Sequence, residues 1–256
     1  MREVRYGLNG RYATRTATGS VACTNDVFGD PYPGADKICE YAVSSPTAVP
    51  APSPSPSPVV STQVIEYYGD STVWGYRTFS GGQVAKPAPA AFADALPAAG
   101  KYDVRNEGVS GTTACQLLNG TDGRHPAWDA QMAASKAKYV FINHGINDQW
   151  RYDVGTYRYC MQALVQTARR AGKQVILETP NPIGESSNLG AYVQAMRDIA
   201  VQENLPVVDQ YQYLLGYLRG QSAYTICPDN VHPTDAVYIL KGQYAASVFL
   251  KLFPAN

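Results

Sequence analysis

The sequence has 256 residues, 45% of them hydrophobic and 16% charged, which is enough chain for one catalytic domain and a small appendage. Lysine plus arginine equals aspartate plus glutamate at 21 each, so no basic surplus points to nucleic acid or an anionic membrane as a partner. No apolar run approaches the ~18 residues that a membrane span needs.

The N-terminal part, residues 1–43, is rich in Gly, Thr, Tyr and Asn and contains β-prone runs such as RYATRTATGSVAC. This composition predicts a small β module. About 43 residues are marginal for independent folding, so a disulfide or further strands upstream would be needed. The chain starts MREVRYG, without the apolar segment of a signal peptide, and we expect a trimmed or truncated form.

The five cysteines are too few for a disulfide scaffold, and no Cys-x-x-Cys or Cys/His cluster indicates zinc. Cys23 and Cys39 lie together in the N-terminal part, where a disulfide and two free thiols are both open interpretations. The sequence fixes no pairing for the three others, which are Cys115, Cys160 and Cys227.

The clearest boundary is the segment 44–61, where proline alternates with small residues. Such a segment forms an extended, semi-rigid spacer and not a core. Spacers of this kind commonly join a binding module to an enzyme in secreted bacterial proteins. We therefore expect a secreted or periplasmic protein with its catalytic domain at 62–256.

After the spacer, apolar strands alternate with amphipathic helices, a pattern that predicts a parallel five-stranded sheet with helices on both faces. The predicted strands are TQVIEYYG, YDVRNEGVSG, AKYVFINHG, KQVILETP and LPVVDQY. The predicted helices are PAPAAFADAL, AWDAQMAAS, VGTYRYCMQALVQTARRAG, NLGAYVQAMRDIAVQEN and TDAVYILKGQYAASVFLKLF. Ligands of such sheets bind outside the carboxyl ends of the strands, so functional residues are expected there.

Ser71 follows the first strand in the run Gly69-Asp70-Ser71. A serine there is either an exposed nucleophile or a helix cap, and the local sequence allows both. Gly108 ends the second strand and Asn147 follows the third, where a backbone N–H and a side-chain amide can reach the same crevice. Each also has a plain interpretation as a turn residue.

The last loop supplies a candidate base, because Asp229 and His232 lie three residues apart just before the final helix. Histidine titrates near neutral pH, and a neighbouring carboxylate can fix its tautomer. Asp209 competes for the acid role by its position after the fifth strand. His144 is interpreted as structural or pocket-lining, and His125, in GRHPAW, matches no recognised motif.

Taken together, the motifs Gly69-Asp70-Ser71, Gly108, Gly145-x-Asn147-Asp148 and Asp229-x-x-His232 resemble those of the SGNH hydrolases, the GDSL-type esterases, over residues ~62–253. The resemblance implies a three-layer α/β/α, flavodoxin-like fold and a Ser71-His232-Asp229 triad.

The same resemblance implies three oxyanion donors, namely the N–H groups of Ser71 and Gly108 and the side chain of Asn147, with Asp70 as a turn-former. No metal or organic cofactor is required. Candidate lining residues of the substrate pocket are Trp74, Tyr76, Trp150 and Ile183, each of which has ordinary packing as its alternative.

The N-terminal stretch resembles a small β module found on secreted bacterial polysaccharide-acting enzymes, in an incomplete form. Its tyrosines Tyr6, Tyr12 and Tyr32 either stack on sugars or are ordinary β-surface residues. We expect an esterase that removes acetyl or other short acyl groups from carbohydrate or small esters. The alternatives are a broad lipid or aryl esterase or thioesterase, and a carbohydrate-binding protein with an inactive hydrolase domain. Acyl length and oligomeric state cannot be derived from the sequence.

Overall fold

A computed structural model of the chain describes residues 1–41, 62–98, 101–185 and 188–254, which divide into an N-terminal and a C-terminal compact unit. The proline-rich spacer predicted at 44–61 lies outside the described residues. Its bounds, and those of the domains on either side, stay predictions.

The N-terminal unit is a small antiparallel sheet, as predicted. Its strands are β1 (Arg2–Leu8), β2 (Arg11–Ala17) and β3 (Ile38–Tyr41), in the order β2-β1-β3, and the short helix α1 spans Asn25–Phe28. A disulfide joins Cys23 to Cys39. This unit has few apolar residues to bury, so its core alone contributes little stability. The disulfide adds stability because it restricts the unfolded chain.

Tyr6, Tyr12 and Tyr32, the candidate sugar-stacking residues, all pack within this unit. Tyr6 is buried against Phe28, with ring centroids 5.5 Å apart. The guanidinium of Arg5 lies 4.6 Å from the Tyr12 ring centroid, and another arginine covers Tyr32 in the same way. The structure therefore favours the ordinary packing interpretation of these rings over sugar stacking.

The C-terminal unit is built on a parallel sheet of five strands. They are β4 (Gln63–Gly69), β5 (Tyr102–Gly108), β6 (Tyr139–Asn143), β7 (Gln174–Glu178) and β8 (Val207–Val208). Their order is β5-β4-β6-β7-β8, which is the flavodoxin-like order. Gly69 at the end of β4 is in register with Gly108 on one side and Asn143 on the other, so three strand ends meet at one edge.

Nine described helices accompany this sheet. They are α2 (Ser71–Trp74), α3 (Ala88–Ala95), α4 (Ala114–Asn119), α5 (Trp128–Ala134), α6 (Asp148–Arg151), α7 (Val154–Arg170), α8 (Leu189–Glu203), α9 (Gln210–Leu218) and α10 (Asp235–Leu252). Within the described ranges no helix has both the length and the apolar character to cross a membrane.

Apolar side chains on the two faces of the sheet make separate cores, because successive strand residues point to opposite sides. Tyr68 and Ile142 pack with α4, α5, α7 and α8 on one face, while Tyr67 and Phe141 pack with α3 and α10 on the other. The C-terminal unit is thus a three-layer α/β/α fold, and the predicted fold class is confirmed.

One further covalent link ties two helices of the first face together. Cys115 of α4 is bonded to Cys160 of α7, and Cys227 is a buried free thiol. The core and this link together fix α4, whose N-terminal end borders the crevice described next.

Candidate active site

Ser71 is held at the end of β4 by a tight turn. A Cβ on Gly69 would lie 2.4 Å from the Asn143 carbonyl oxygen, so only glycine fits between the strands. Asp70 then caps α2, its Oδ1 accepting from the Thr72 backbone N–H and hydroxyl, both at 2.8 Å. Asp70 is therefore a turn and cap residue, as the family resemblance implied, and it leaves the Ser71 side chain directed into the crevice.

The last loop folds into a compact turn before α10. The Asp229 Oδ1 atom accepts from the backbone N–H groups of His232, at 2.7 Å, and Val231, at 3.1 Å. Its Oδ2 atom lies 2.8 Å from His232 Nδ1. The single carboxylate thus sets both the backbone of the turn and the orientation of the imidazole.

The structure brings Ser71 and this turn together although 161 residues separate Ser71 from His232, with Ser71 Oγ 2.9 Å from His232 Nε2. With Nδ1–H donating to Asp229, Nε2 is free to accept the serine hydroxyl. Burial on its own would raise the pKa of Asp229, but the hydrogen bonds from His232 and Val231 outweigh it and lower that pKa. Asp229 is accordingly an anion beside the imidazole at neutral pH.

Asn147 also reaches the crevice. Its side-chain NH₂ donates to the Thr112 carbonyl oxygen at 3.0 Å, which leaves the second N–H of that group available. The next residue, Asp148, accepts from the Ala114 backbone N–H at 3.0 Å and so ties this loop to α4. Burial raises the pKa of Asp148 to about 7.

The prediction that Gly108 supplies an oxyanion donor is corrected by the structure. The Gly108 N–H already donates to Asn106 Oδ1 at 3.0 Å. This residue is a glycine because a Cβ would lie 2.3 Å from the Trp74 backbone nitrogen, where β5 packs against α2. Gly111, three residues further on at φ +77°, borders the cavity instead and has no hydrogen-bond acceptor among the described residues.

A cavity of about 240 Å³ surrounds the serine and the imidazole. Its lining residues are Ser71, Tyr76, Ser110, Gly111, Asn147, Trp150, Val231 and His232. Tyr76 and Trp150 therefore lie where the sequence predicted, and the Tyr76 ring centroid is 4.4 Å from that of His232. Trp74 lies outside this cavity, in an adjoining groove.

Ile183 is a wrong prediction as a pocket residue. It is 6% exposed and packs in an apolar cluster with Ile146, Leu189 and Val193. The loop after β7 turns inward here because the backbone N–H of Gly184 donates to the Asn230 carbonyl oxygen at 2.8 Å. Val231 of the last loop packs against this cluster, so Ile183 helps to support that loop.

A chain of buried polar side chains beneath the crevice also holds that loop, and no sequence motif indicates it. The fully buried Lys241 of α10 donates from Nζ to Asn181 Oδ1 at 3.0 Å. The Asn181 NH₂ in turn donates to the carbonyl oxygens of Val231, at 3.2 Å, and Pro182, at 3.1 Å. Asn181 therefore fixes the residue directly before His232.

Asp209, the alternative candidate for the acid of the triad, and His144 have structural roles. Asp209 caps α9 and forms an ion pair with Arg197 at 2.8 Å. His144 is 1% exposed, and burial lowers its pKa to about 4, so it is neutral. Neither reaches the serine hydroxyl, and among the described residues no group of three or more His, Cys, Asp or Glu is arranged to hold a metal.

A second turn of the same kind is formed by Asp122 and His125, which the sequence analysis left without a role. The Asp122 Oδ2 atom lies 2.7 Å from His125 Nδ1, and Oδ1 accepts from the His125 N–H at 2.8 Å. The other ring nitrogen faces Glu107 Oε2 at 3.4 Å, and Glu107 is also ion-paired with Arg124. This turn contains no nucleophile and lies beside the groove that Trp74 borders.

Comparison with known families gives a match to the GDSL-like Lipase/Acylhydrolase family over residues 67–240. The chain belongs to this family. The matched region contains the serine turn, the Asn147 loop and the Asp229–His232 turn.

Individual relatives agree with this assignment. An acetylxylan esterase of Geobacillus stearothermophilus is 27% identical over 154 residues, which are 54% of this chain and 67% of that protein. A crystal structure of the acetylxylan esterase Axe2 from the same organism has a TM-score of 0.59 at 24% identity, covering 75% of this chain and 94% of that one.

A protein of Parabacteroides merdae whose structure is described as a GDSL-like lipase also has a TM-score of 0.59, at 18% identity, covering 77% and 99% of the two chains. At these identities the structural likenesses establish the fold alone.

Proposed function

We propose that this protein is a serine ester hydrolase that removes acetyl or other short acyl groups from carbohydrate or small esters. The observation that carries the proposal is the continuous contact from Ser71 Oγ to His232 Nε2, at 2.9 Å, and from His232 Nδ1 to Asp229, at 2.8 Å. A nucleophile, a base and an oriented carboxylate in this sequence of contacts are the requirements of acyl transfer through a serine.

In the first half of the reaction Ser71 Oγ attacks the ester carbonyl carbon while His232 takes the hydroxyl proton. The tetrahedral intermediate collapses when the C–O bond to the alcohol breaks, and His232 gives its proton to the departing oxygen. Water then attacks the acyl-enzyme with His232 again as the base, releasing the carboxylic acid. Asp229 stays ionised throughout, because its hydrogen bonds hold its pKa down.

The developing oxyanion needs donors on the far side of the carbonyl from the imidazole. We assign this role to the backbone N–H groups of Ser71 and Gly111 and to the side chain of Asn147, with Gly111 in place of Gly108. All three residues border the cavity. The bond from Asn147 to Thr112 fixes the amide before substrate arrives, and a preorganised donor costs no reorganisation during the reaction.

The preference for short acyl groups rests on the size of the cavity. About 240 Å³ is less than the ~300–1,000 Å³ of pockets that enclose drug-sized ligands. Such a cavity has room for an acetyl group but not for a long alkyl chain. The similarity to an acetylxylan esterase favours acylated carbohydrate as the substrate class.

Two disulfides support a secreted or periplasmic location, because such bonds persist mainly in oxidising compartments. The resemblance of the N-terminal unit to modules of polysaccharide-acting enzymes stays a prediction.

Acyl-chain profiling tests the proposal. Wild type should hydrolyse p-nitrophenyl acetate much faster than p-nitrophenyl decanoate and should release acetate from acetylated xylan. Ser71→Ala should lose nearly all turnover while keeping its melting temperature, and Asn147→Ala should lose ~10²–10³-fold in kcat, as for removal of one oxyanion donor elsewhere.

The same assays decide among the alternatives. A strong preference for the decanoate with no acetate released from polymer would identify a lipid or aryl esterase. Absence of any ester turnover would identify a carbohydrate-binding protein with an inactive domain. An unchanged rate in Asn147→Ala would refute the oxyanion assignment alone.

A further inference from the structure

An open groove of about 460 Å³ adjoins the cavity that contains Ser71 and His232. Two residues, Tyr76 and Ser110, border both spaces, so the groove and the cavity are continuous. The rest of the groove is lined by Trp74, Gly108, Val109 and Arg124. The mechanism described above uses none of these four residues.

The chemistry of the reaction determines which end of the substrate enters this groove. His232 must protonate the departing alcohol oxygen, so the alcohol lies on the imidazole side of the scissile bond. The Tyr76 ring packs against the imidazole, with centroids 4.4 Å apart, and forms the border between cavity and groove. An alcohol that leaves past His232 therefore extends over Tyr76 towards Trp74.

The groove presents both aromatic surface and hydrogen-bond donors. The Trp74 and Tyr76 ring centroids are 6.3 Å apart, and both side chains are partly exposed. Arg124 is 44% exposed and forms an ion pair with Glu107. Its Nη1 atom also donates to the carbonyl oxygens of Asn106, at 3.3 Å, and Gly108, at 3.4 Å.

Both edges of the groove are held rigidly. On one edge, Asn106 donates to the Trp74 carbonyl oxygen at 3.2 Å and so fixes α2 to β5. On the other edge, Arg124 belongs to the Asp122–His125 turn. Its guanidinium is ion-paired with Glu107, and its backbone N–H donates to Asp122. Preformed edges reduce the entropy that binding would cost.

From these features we propose that the groove binds the sugar ring that carries the ester, with Trp74 as a stacking platform and Arg124 as a donor to ring hydroxyls. A pyranose has an apolar C–H face and a hydroxyl rim, which match an aromatic ring beside a fixed guanidinium. An alkyl alcohol would offer no hydrogen-bond acceptor to the exposed Arg124 guanidinium or to the Ser110 hydroxyl. The proposal rests on the ester hydrolase function proposed above and assigns the alcohol side of its substrate.

The test compares two acetate esters that differ only in the alcohol. Initial rates are followed by acid release on ethyl acetate and on methyl 2-O-acetyl-β-D-xylopyranoside, a monoester that keeps free ring hydroxyls, for wild type, Trp74→Ala, Trp74→Phe and Arg124→Gln. In Trp74→Ala the ratio of kcat/KM for the xyloside to that for ethyl acetate should fall ~10-fold. This loss is comparable to that of one stacking contact between a nucleic-acid base and an aromatic side chain. Arg124→Gln should lower the ratio less, and Trp74→Phe should restore most of it.

Tyr159→Ala, on an exposed side chain of α7 remote from the groove lining, is the matched control and should leave both rates unchanged. A ratio that stays at the wild-type value in both Trp74→Ala and Arg124→Gln overturns the proposal, even where both rates fall together. Wild-type turnover of ethyl acetate without turnover of the xyloside also overturns it and leaves the ester hydrolase function intact. Turnover of neither ester refutes the hydrolase function itself.

Discussion

Two Asp-x-x-His-Pro turns, 107 residues apart in the chain, fold almost alike and differ in what their histidines meet. In the turn of Asp122 and His125 the carboxylate lies 2.7 Å from Nδ1, and in that of Asp229 and His232 it lies 2.8 Å away. In both, the other carboxylate oxygen accepts two backbone N–H groups. A local sequence of four residues therefore suffices to orient an imidazole by a carboxylate.

The surroundings of Nε2 distinguish the two turns. That of His232 faces the Ser71 hydroxyl, whereas that of His125 faces a second carboxylate, Glu107. Burial on its own would lower the pKa of His125, but its hydrogen bonds to Glu107 and Asp122 outweigh burial and raise it. The two acids around the His125 imidazole favour its charged form, which cannot act as a base. The partner that is distant in sequence therefore determines whether the turn has a chemical or a structural role.

Replacing the histidine of each turn by alanine gives the largest predicted difference between the two turns. His232→Ala should reduce kcat on p-nitrophenyl acetate by at least ~10³-fold, since the base is lost, with an unchanged melting temperature. His125→Ala should keep kcat within about threefold of wild type but lose about 1–3 kcal/mol of unfolding free energy, because two carboxylates lose a buried partner. Steady-state kinetics and urea unfolding measure the two effects. A collapse of kcat in a folded His125→Ala protein would contradict the assignment of roles.

Replacing the aspartate of each turn by asparagine should give a smaller difference in kcat, in the same direction. Asp229→Asn should lower kcat by ~10²–10⁴-fold, because the amide favours the wrong imidazole tautomer. Asp122→Asn should leave kcat nearly unchanged and destabilise the fold. Equal kinetic losses in both variants would show that the second turn takes part in the reaction.

The buried pair Lys241 and Asn181 supports the Asp229–His232 turn, and the described residues around the Asp122–His125 turn include no counterpart of it. Removing this support should have an intermediate effect. Asn181→Ala should reduce kcat ~10-fold with little change in KM, since the backbone before His232 loses a bond and a small misplacement is costly in rate. The exposed Asn119→Ala, at the end of α4, is the control and should have wild-type kinetics. An unchanged kcat in Asn181→Ala would show that Lys241 and Asn181 serve only the core.

The smallest predicted effect is on the pH dependence of stability. Because the pKa of His125 is raised in the folded protein, its charge stabilises the fold below its unfolded pKa of about 6.5, and this contribution disappears as the pH rises through the folded value. The difference in unfolding free energy between wild type and His125→Gln should therefore be larger at about pH 5.5 than at about pH 9. Urea titrations at the two pH values measure it, and a difference that grows towards high pH would contradict the charged state.

Much of the fold could be read from hydrophobic patterning, because buried parallel strands and amphipathic helices leave distinct periods. All five predicted strands are present, although β8 contains only Val207–Val208. Helix α4 was missed, despite a visible indication: Thr113 and Gln116 form a capping box at its start. Helix α9, which Asp209 caps, is also absent from the predicted helices, because the strand prediction LPVVDQY runs into its first turn.

The site was predictable in part for a physical reason. Which residues follow the strand ends is a property of the sequence, but which groups remain free is a property of packing. Gly108 and Gly111 look alike in sequence, and packing distinguishes them: the Gly108 N–H is bonded to Asn106, whereas Gly111 borders the cavity. Likewise, Ile183 is in a loop that turns inward, and Lys241 is fully buried although lysine is usually exposed. Both outcomes depend on neighbours far along the chain.

The bond between Cys115 and Cys160 closes a covalent ring whose ends are 45 residues apart in sequence. Asn147, Arg124 and the whole Asp122–His125 turn lie inside that ring. A protease that cuts one peptide bond within it leaves both fragments attached, so one wall of the crevice can survive a nick. Mild reduction should remove this tolerance.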